Sequence, residues 1–291
     1  MGAARSTART SVAFAIVAMV GFVTTYRIAV HTARGQALDL TALRGEAVQP
    51  RPIRRIASGL LGTISSASLV GVMVVLVVIA VLRGRFRLAV VVGTVVTCSV
   101  VSAEILKHTL SRPLLATIGF DYVPVNTLPS GHSTVALSVV VAAILVAPRR
   151  HQALVALVGA PYAVGVGIAT VAAHWHRPSD VVAAAFVVAA WTFVGLVVLD
   201  RIAVVRPATP AAWGRFIAPV LVLLLVAAVG VLAATTLLGL SLAAPQADAT
   251  LQPGTLRSAA AFGFSTACIA AIELSFIGAL LWMLRTTRLT Q

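Results

Sequence analysis

Two short polar stretches interrupt an otherwise apolar chain, and most of its chemistry-bearing residues lie in them. The first begins Lys107-His108-Thr109-Leu110-Ser111-Arg112-Pro113 and resumes at Asn126-Thr127-Leu128-Pro129-Ser130-Gly131-His132-Ser133-Thr134. The second is His174-Trp175-His176-Arg177-Pro178-Ser179-Asp180. Pro129 suits the first turn of a helix, where its missing N–H would be unpaired anyway. Ser130, Gly131 and His132 would then present free backbone N–H groups at the positive end of that helix, a place that binds anions and phosphate above all. Gly131 lets a ligand approach the backbone closely. Pro178 opens a second helix toward the same space, and Lys107 and Arg112 add two cations. Together these describe a phosphate pocket. His176 and Asp180 are one helical turn apart, so the carboxylate can fix one imidazole nitrogen and leave the other free to attack. His132 can give a proton to a leaving oxygen.

Pro129-Ser130-Gly131-His132 resembles the central motif of the type-2 phosphatidic acid phosphatase superfamily, the lipid phosphate phosphatases related to vanadium haloperoxidases. His176-x-x-x-Asp180 resembles the end of its third motif, and Lys107 followed by Arg112-Pro113 resembles its first. The likeness covers roughly residues 10–200. It implies a six-helix phosphatase core over 1–200, with the active site at helix ends, and two additional transmembrane helices over 201–291. Position by position, it implies that His176 is a nucleophile forming a phosphohistidine, that Asp180 orients it, and that His132 acts as general acid and then as base for water. Lys107, Arg112, Ser130 and the Gly131 amide would hold the phosphate, with no metal and no cofactor. Two departures stand out. Ala169 and Thr170 occupy positions where the third motif has Ser-Arg, and Leu114 occupies a first-motif arginine position, with Arg112 two residues earlier. Arg177 or His174 could supply the missing charge, and Arg177 joins the phosphate-binding candidates.

The elements that position these residues must lie in a bilayer. Hydrophobic residues make up 59% of the chain and charged residues 10%, with a mean hydropathy of +1.02. A soluble domain carries about 25% charge, so a water-soluble fold is excluded, and the apolar abundance excludes disorder. About eight apolar segments of near-spanning length can be drawn: 11–31, 60–82, 87–107, 131–147, 151–173, 180–199, 216–242 and 258–284. The reading is an all-α polytopic membrane helix bundle. The first segment has no clear cleavage site after it and reads as a retained helix. The 33–59 connection reads either as a helix lying in the interface or as an ordered polar loop. Cys98 and Cys268 read as small buried hydrophobes. Glu104 has Lys107 one turn away as an ion-pair partner, and Glu273 faces the bundle or sits protonated.

The net charge of +14 comes from arginines scattered between apolar runs, which writes membrane topology rather than a nucleic-acid surface. With the N-terminus inside, Lys107, Arg112, Arg177 and Arg257 are the basic residues of the short outer loops, against a larger inner set that includes Arg83, Arg85, Arg87, Arg149 and Arg150. Both polar stretches then face outward. The expectation is an integral cell-membrane phosphatase of a bacterium, acting on a lipid phosphate or lipid pyrophosphate at the extracytoplasmic face. Phosphatidic acid, phosphatidylglycerophosphate and polyprenyl pyrophosphate all stay open. The partner is the membrane lipid. A homodimer through the last two helices is one option. The rival is a catalytically impaired lipid-phosphate-binding protein or a transporter. Thr170 favours it, whereas His132, His176, Asp180 and the lack of an internal repeat oppose it.

Overall fold

Long runs of valine, alanine and leucine leave the backbone no water to bond with, so each folds as a helix that satisfies its own N–H and C=O groups. The computed structural model describes residues 2–44, 51–115, 126–202, 204–207, 256–285 and 287–289. Helix α1 spans Gly2–Thr25 and runs on through a π-helical turn, Tyr26–Val30. Next come α2 (Ala33–Arg44), α3 (Arg51–Gly62), α4 (Ser66–Leu82), α5 (Phe86–Thr109), α6 (Gly131–Val146), α7 (Gln152–Ala172) and α8 (Pro178–Arg201). Two three-residue strands, β1 (Val205–Pro207) and β2 (Thr287–Leu289), flank α9 (Leu256–Arg285) in sequence and pair antiparallel, Arg206 opposite Arg288.

Helix α8 is the axis of the bundle. It packs against α1, α5, α6 and α9, and 61% of its apolar window is buried, against 11% for α1. Small residues allow the close approaches. A Cβ on Gly195 of α8 would lie 2.5 Å from Val95 of α5, and one on Gly159 of α7 would lie 2.7 Å from Val140 of α6. Without a hydrophobic force between helices in lipid, such close backbone packing is what holds them together. The outward faces of α1 and α4 expose Ile16, Val17, Val20, Val70, Val74 and Val75, as a lipid-facing surface would.

The expected count of about eight spans is not reached among the described residues. Among the described residues five helices are long and apolar enough to cross a membrane, six if the bent pair α3–α4 is one span. The predicted segment 60–82 is broken by 59° because the chain stops at Thr63–Ser65 and restarts. There the N–H groups of Thr63 and Ile64 turn back to Leu60 and Leu61, and Ser65 and Ser68 cap the new helix reciprocally. The 131–147 segment is a 16-residue helix, about 24 Å long, against a hydrocarbon core of about 30 Å. The 216–242 segment lies outside the described residues. The 33–59 connection is helical in α2 and α3. Helix α9 packs on α2, α7 and α8, so it shares the core of the bundle.

Candidate active site

Four helix ends converge: the C-termini of α5 and α7 and the N-termini of α6 and α8. The last turn of α5 carries Lys107 and His108, and cations suit that negative end. Glu104 receives both, with Lys107 Nζ at 2.9 Å and His108 Nε2 at 3.0 Å, the local pairing the sequence predicts. Asn126 ties the two arms of the first loop by donating to the carbonyls of Lys107 at 3.2 Å and Leu110 at 3.0 Å.

Pro129 follows a cis Leu128–Pro129 bond and lies two residues before the first turn expected to hold it, and Ser130 is the residue that caps α6. The Ser130 hydroxyl accepts from the Ser133 N–H at 3.3 Å and the Ser133 hydroxyl at 3.0 Å. Its own N–H donates to the Asp180 carbonyl at 2.9 Å, so the entrances of α6 and α8 are joined through the backbone. Lys107 Nζ hangs 3.7 Å from where a Cβ on Gly131 would sit, which puts a cation over the open first turn of α6.

Helix α7 ends in a turn that aims His176. The Thr170 carbonyl accepts from the N–H groups of Trp175 and His176, and His174 takes a left-handed backbone with φ of 59°. Pro178 occupies the first turn of α8, as predicted, and Asp180 accepts from the Arg177 N–H at 3.0 Å. The His132 and His176 ring centroids lie 6.3 Å apart with the planes inclined by 59°, and Trp175 lies 5.1 Å from His132. Asp180 Oδ2 is 3.5 Å from His176 Nδ1, a long contact that leaves Nε2 as the outer nitrogen.

Asp180 is fully buried and heavily partnered. It accepts Arg112 Nη2 at 3.0 Å and the Thr127 hydroxyl at 2.5 Å besides the Arg177 amide. A carboxylate removed from water requires such company. Arg177 Nη1 donates to Thr127 at 3.0 Å. Burial, and then the like charge of Arg112, push the Arg177 guanidinium down to about 10, so it remains cationic at neutral pH. The structure thus gathers Lys107, Ser130, Gly131, His132, His176, Arg177, Asp180 and Arg112 in one place. Arg112 and Arg177 stand behind Asp180, both nearly buried, while Lys107 and His132 are more open.

Thr170, where the family pattern has arginine, is buried and bonds the Gly167 carbonyl within its own helix at 2.8 Å. His174 is committed elsewhere, its Nε2 being 2.6 Å from the Leu43 carbonyl of α2. Of the two candidates for the missing cation, Arg177 is therefore the one beside Asp180. Residue-type reasoning missed Asp39 and Gln36 of α2. Asp39 accepts the Ser179 N–H at 3.2 Å and the Ser179 hydroxyl at 2.5 Å, and it lies 3.8 Å from Arg112. Burial, then the charge of Asp180, push the Asp39 carboxyl up to about 6. The available signal was scarcity: the chain has eight acidic residues, and Asp39 is the first. Glu273 on α9 is buried against Gly167 and Ile269, with neither carboxyl oxygen hydrogen-bonded among the described residues.

The fold and the site define a class: a multi-spanning helical membrane protein with a histidine-bearing, cation-rich site where helix ends meet. Residues 86–204, from α5 through the end of α8, match the PAP2 superfamily. No curated protein matches the chain as a whole. In fold it is similar to the crystal structure of the first transmembrane PAP2 type phosphatidylglycerolphosphate phosphatase from Bacillus subtilis. That likeness has 22% sequence identity and a TM-score of 0.52, and it covers 65% of this chain and 96% of that one.

Proposed function

We propose that this protein hydrolyses a lipid phosphate or lipid pyrophosphate at the extracytoplasmic face of a cell membrane, through a phosphohistidine and without a metal. The observation that carries this reading is the pair of rings, His132 and His176, 6.3 Å apart with Asp180 behind the second. A phosphoryl group fits between two such rings. His176 Nε2 attacks phosphorus, the P–O bond to the lipid breaks, and His132 protonates the departing oxygen. His132, now neutral, then takes a proton from water, which attacks the phosphohistidine and releases inorganic phosphate. Lys107 and the first-turn amides of α6 receive the phosphate oxygens in front, and Arg112 and Arg177 supply positive charge from behind.

A lipid substrate is supported by an apolar cleft of about 440 Å³ beside Trp175, walled by Ala57, Leu61, Gly62, Ala172 and Ala173. It offers hydrocarbon a place next to the catalytic rings. The related phosphatase acts on phosphatidylglycerolphosphate, and phosphatidic acid and polyprenyl pyrophosphate carry the same headgroup chemistry. One observation favours the second reading, a lipid-phosphate binder without turnover: Thr170 brings no charge to the site, and Arg112 is held by two carboxylates.

The deciding experiment is rapid-quench trapping with labelled phosphatidic acid, alongside phosphate release from the three lipids. Label should appear on His176 of the wild type, and His176→Ala should release no phosphate. Binding without label, or acid-labile phosphate on another residue, would overturn the mechanism.

A further inference from the structure

Helix α2 lies outside the 86–204 match, yet its polar residues reach into the site. Gln36 and Asp39 are three positions apart and share one face. Gln36 donates to the carbonyls of Val30 at 2.7 Å and Pro113 at 2.6 Å and accepts from the Leu115 N–H at 3.2 Å, fixing the chain on either side of Leu114. Asp39 holds Ser179 at the start of α8 and lies 3.8 Å from Arg112. Arg112 is in turn 3.0 Å from Asp180. One buried guanidinium therefore stands between two buried carboxylates, and one of these backs the nucleophile.

We propose that Asp39 is a positioning residue of the phosphoryl-transfer site, acting through its charge on Arg112. The proposal rests on the reading of His176 as nucleophile. When His176 takes up a phosphoryl group its ring becomes cationic, and Asp180 must stabilise that charge. Arg112 competes for the same carboxylate. Asp39 takes a share of the Arg112 charge and leaves Asp180 more basic toward His176. The charged groups facing Asp39 are Arg112, Asp180 and Arg177. Asp39 titrates near 6, so its charge is present at neutral pH and lost as pH falls through that value.

Two variants of the full chain in detergent micelles, Asp39→Asn and Ser179→Ala, test this with phosphatidic acid as substrate. Asparagine still offers an acceptor to the Ser179 N–H and is itself a good helix cap, but it carries no charge. D39N should lower kcat about 10- to 100-fold at neutral pH, the range a small misplacement of a reacting group produces. KM should stay within about twofold, the mark of an interaction made in the transition state. The gap from wild type should close below about pH 6, where wild-type Asp39 also loses its charge. S179A, which keeps the charge, should hold kcat within about threefold. A D39N enzyme as fast as wild type, a loss constant across pH, an equal loss in S179A, or a D39N chain that does not fold would each overturn the proposal. A wild type no faster than His176→Ala would instead defeat the catalytic reading beneath it.

Discussion

His132 and His176 carry the same ring, and their surroundings separate their roles. His176 has a carboxylate at its back; His132 has Trp175 at its side and Lys107 nearby. Only the first is built to bear positive charge through a covalent step. Among the described residues, only the second faces the gap without a carboxylate to hold its proton. His132→Ala should therefore lose about 10²- to 10⁴-fold in kcat on phosphatidic acid, the usual worth of a positioned general acid. It should lose far less in phosphohistidine formation from p-nitrophenyl phosphate, whose leaving oxygen needs no proton. Equal losses on both substrates in single-turnover assays would take the acid role away from His132. The placement of these two residues and Asp180 was legible because each lies within a few positions of Pro129 or Pro178. The task of Asp39 was not, because its partners Ser179 and Arg112 are distant in sequence and a lone acid on a short helix reads as a solvated charge.

Among the elements, α6 and α8 present their N-termini to the same space, and each entrance is capped differently. Asp180 caps α8 by accepting from Arg177, while Ser130 caps α6 by accepting from Ser133. The sequence placed the start of α8 at Pro178, whereas α6 begins two residues after Pro129. It did not show that the Ser130 hydroxyl bonds into its own helix, since a serine before glycine suits either a ligand or a cap. Ser130→Ala should lower stability by about 1 kcal/mol, the usual worth of such a cap, and raise KM little. Thermal unfolding read beside steady-state kinetics checks this. A large rise in KM with unchanged unfolding would return Ser130 to the phosphate. The break between α3 and α4 was invisible to hydropathy, because Leu60–Ile64 is apolar enough to continue a span. The polar pair Ser65 and Ser68 was its only sign.

For the whole molecule, the question is which side of the membrane holds the converging ends. The four ends share one face, which we propose is the outer one on the count of short-loop basic residues. The exposed Ser111 reports on the site face and the exposed Arg150 on the opposite one. In a variant lacking Cys98 and Cys268, a cysteine at Ser111 should react with an impermeant thiol reagent in intact cells, and one at Arg150 should not. The reverse pattern would put the site in the cytoplasm and remove outer-leaflet lipids from its substrates. The bundle also has a consequence for its own synthesis. The Ser179 hydroxyl meets Asp39 across 140 positions of chain, and Tyr26 meets the Ser111 carbonyl across 85. During translation α1 and α2 enter the bilayer long before α8 leaves the ribosome. Until α8 arrives there is no carboxylate behind the nucleophile and no second helix entrance. A nascent chain stalled anywhere before residue 180 is thus a membrane anchor without an assembled site, and the proposed hydrolysis would begin only once the bundle is complete.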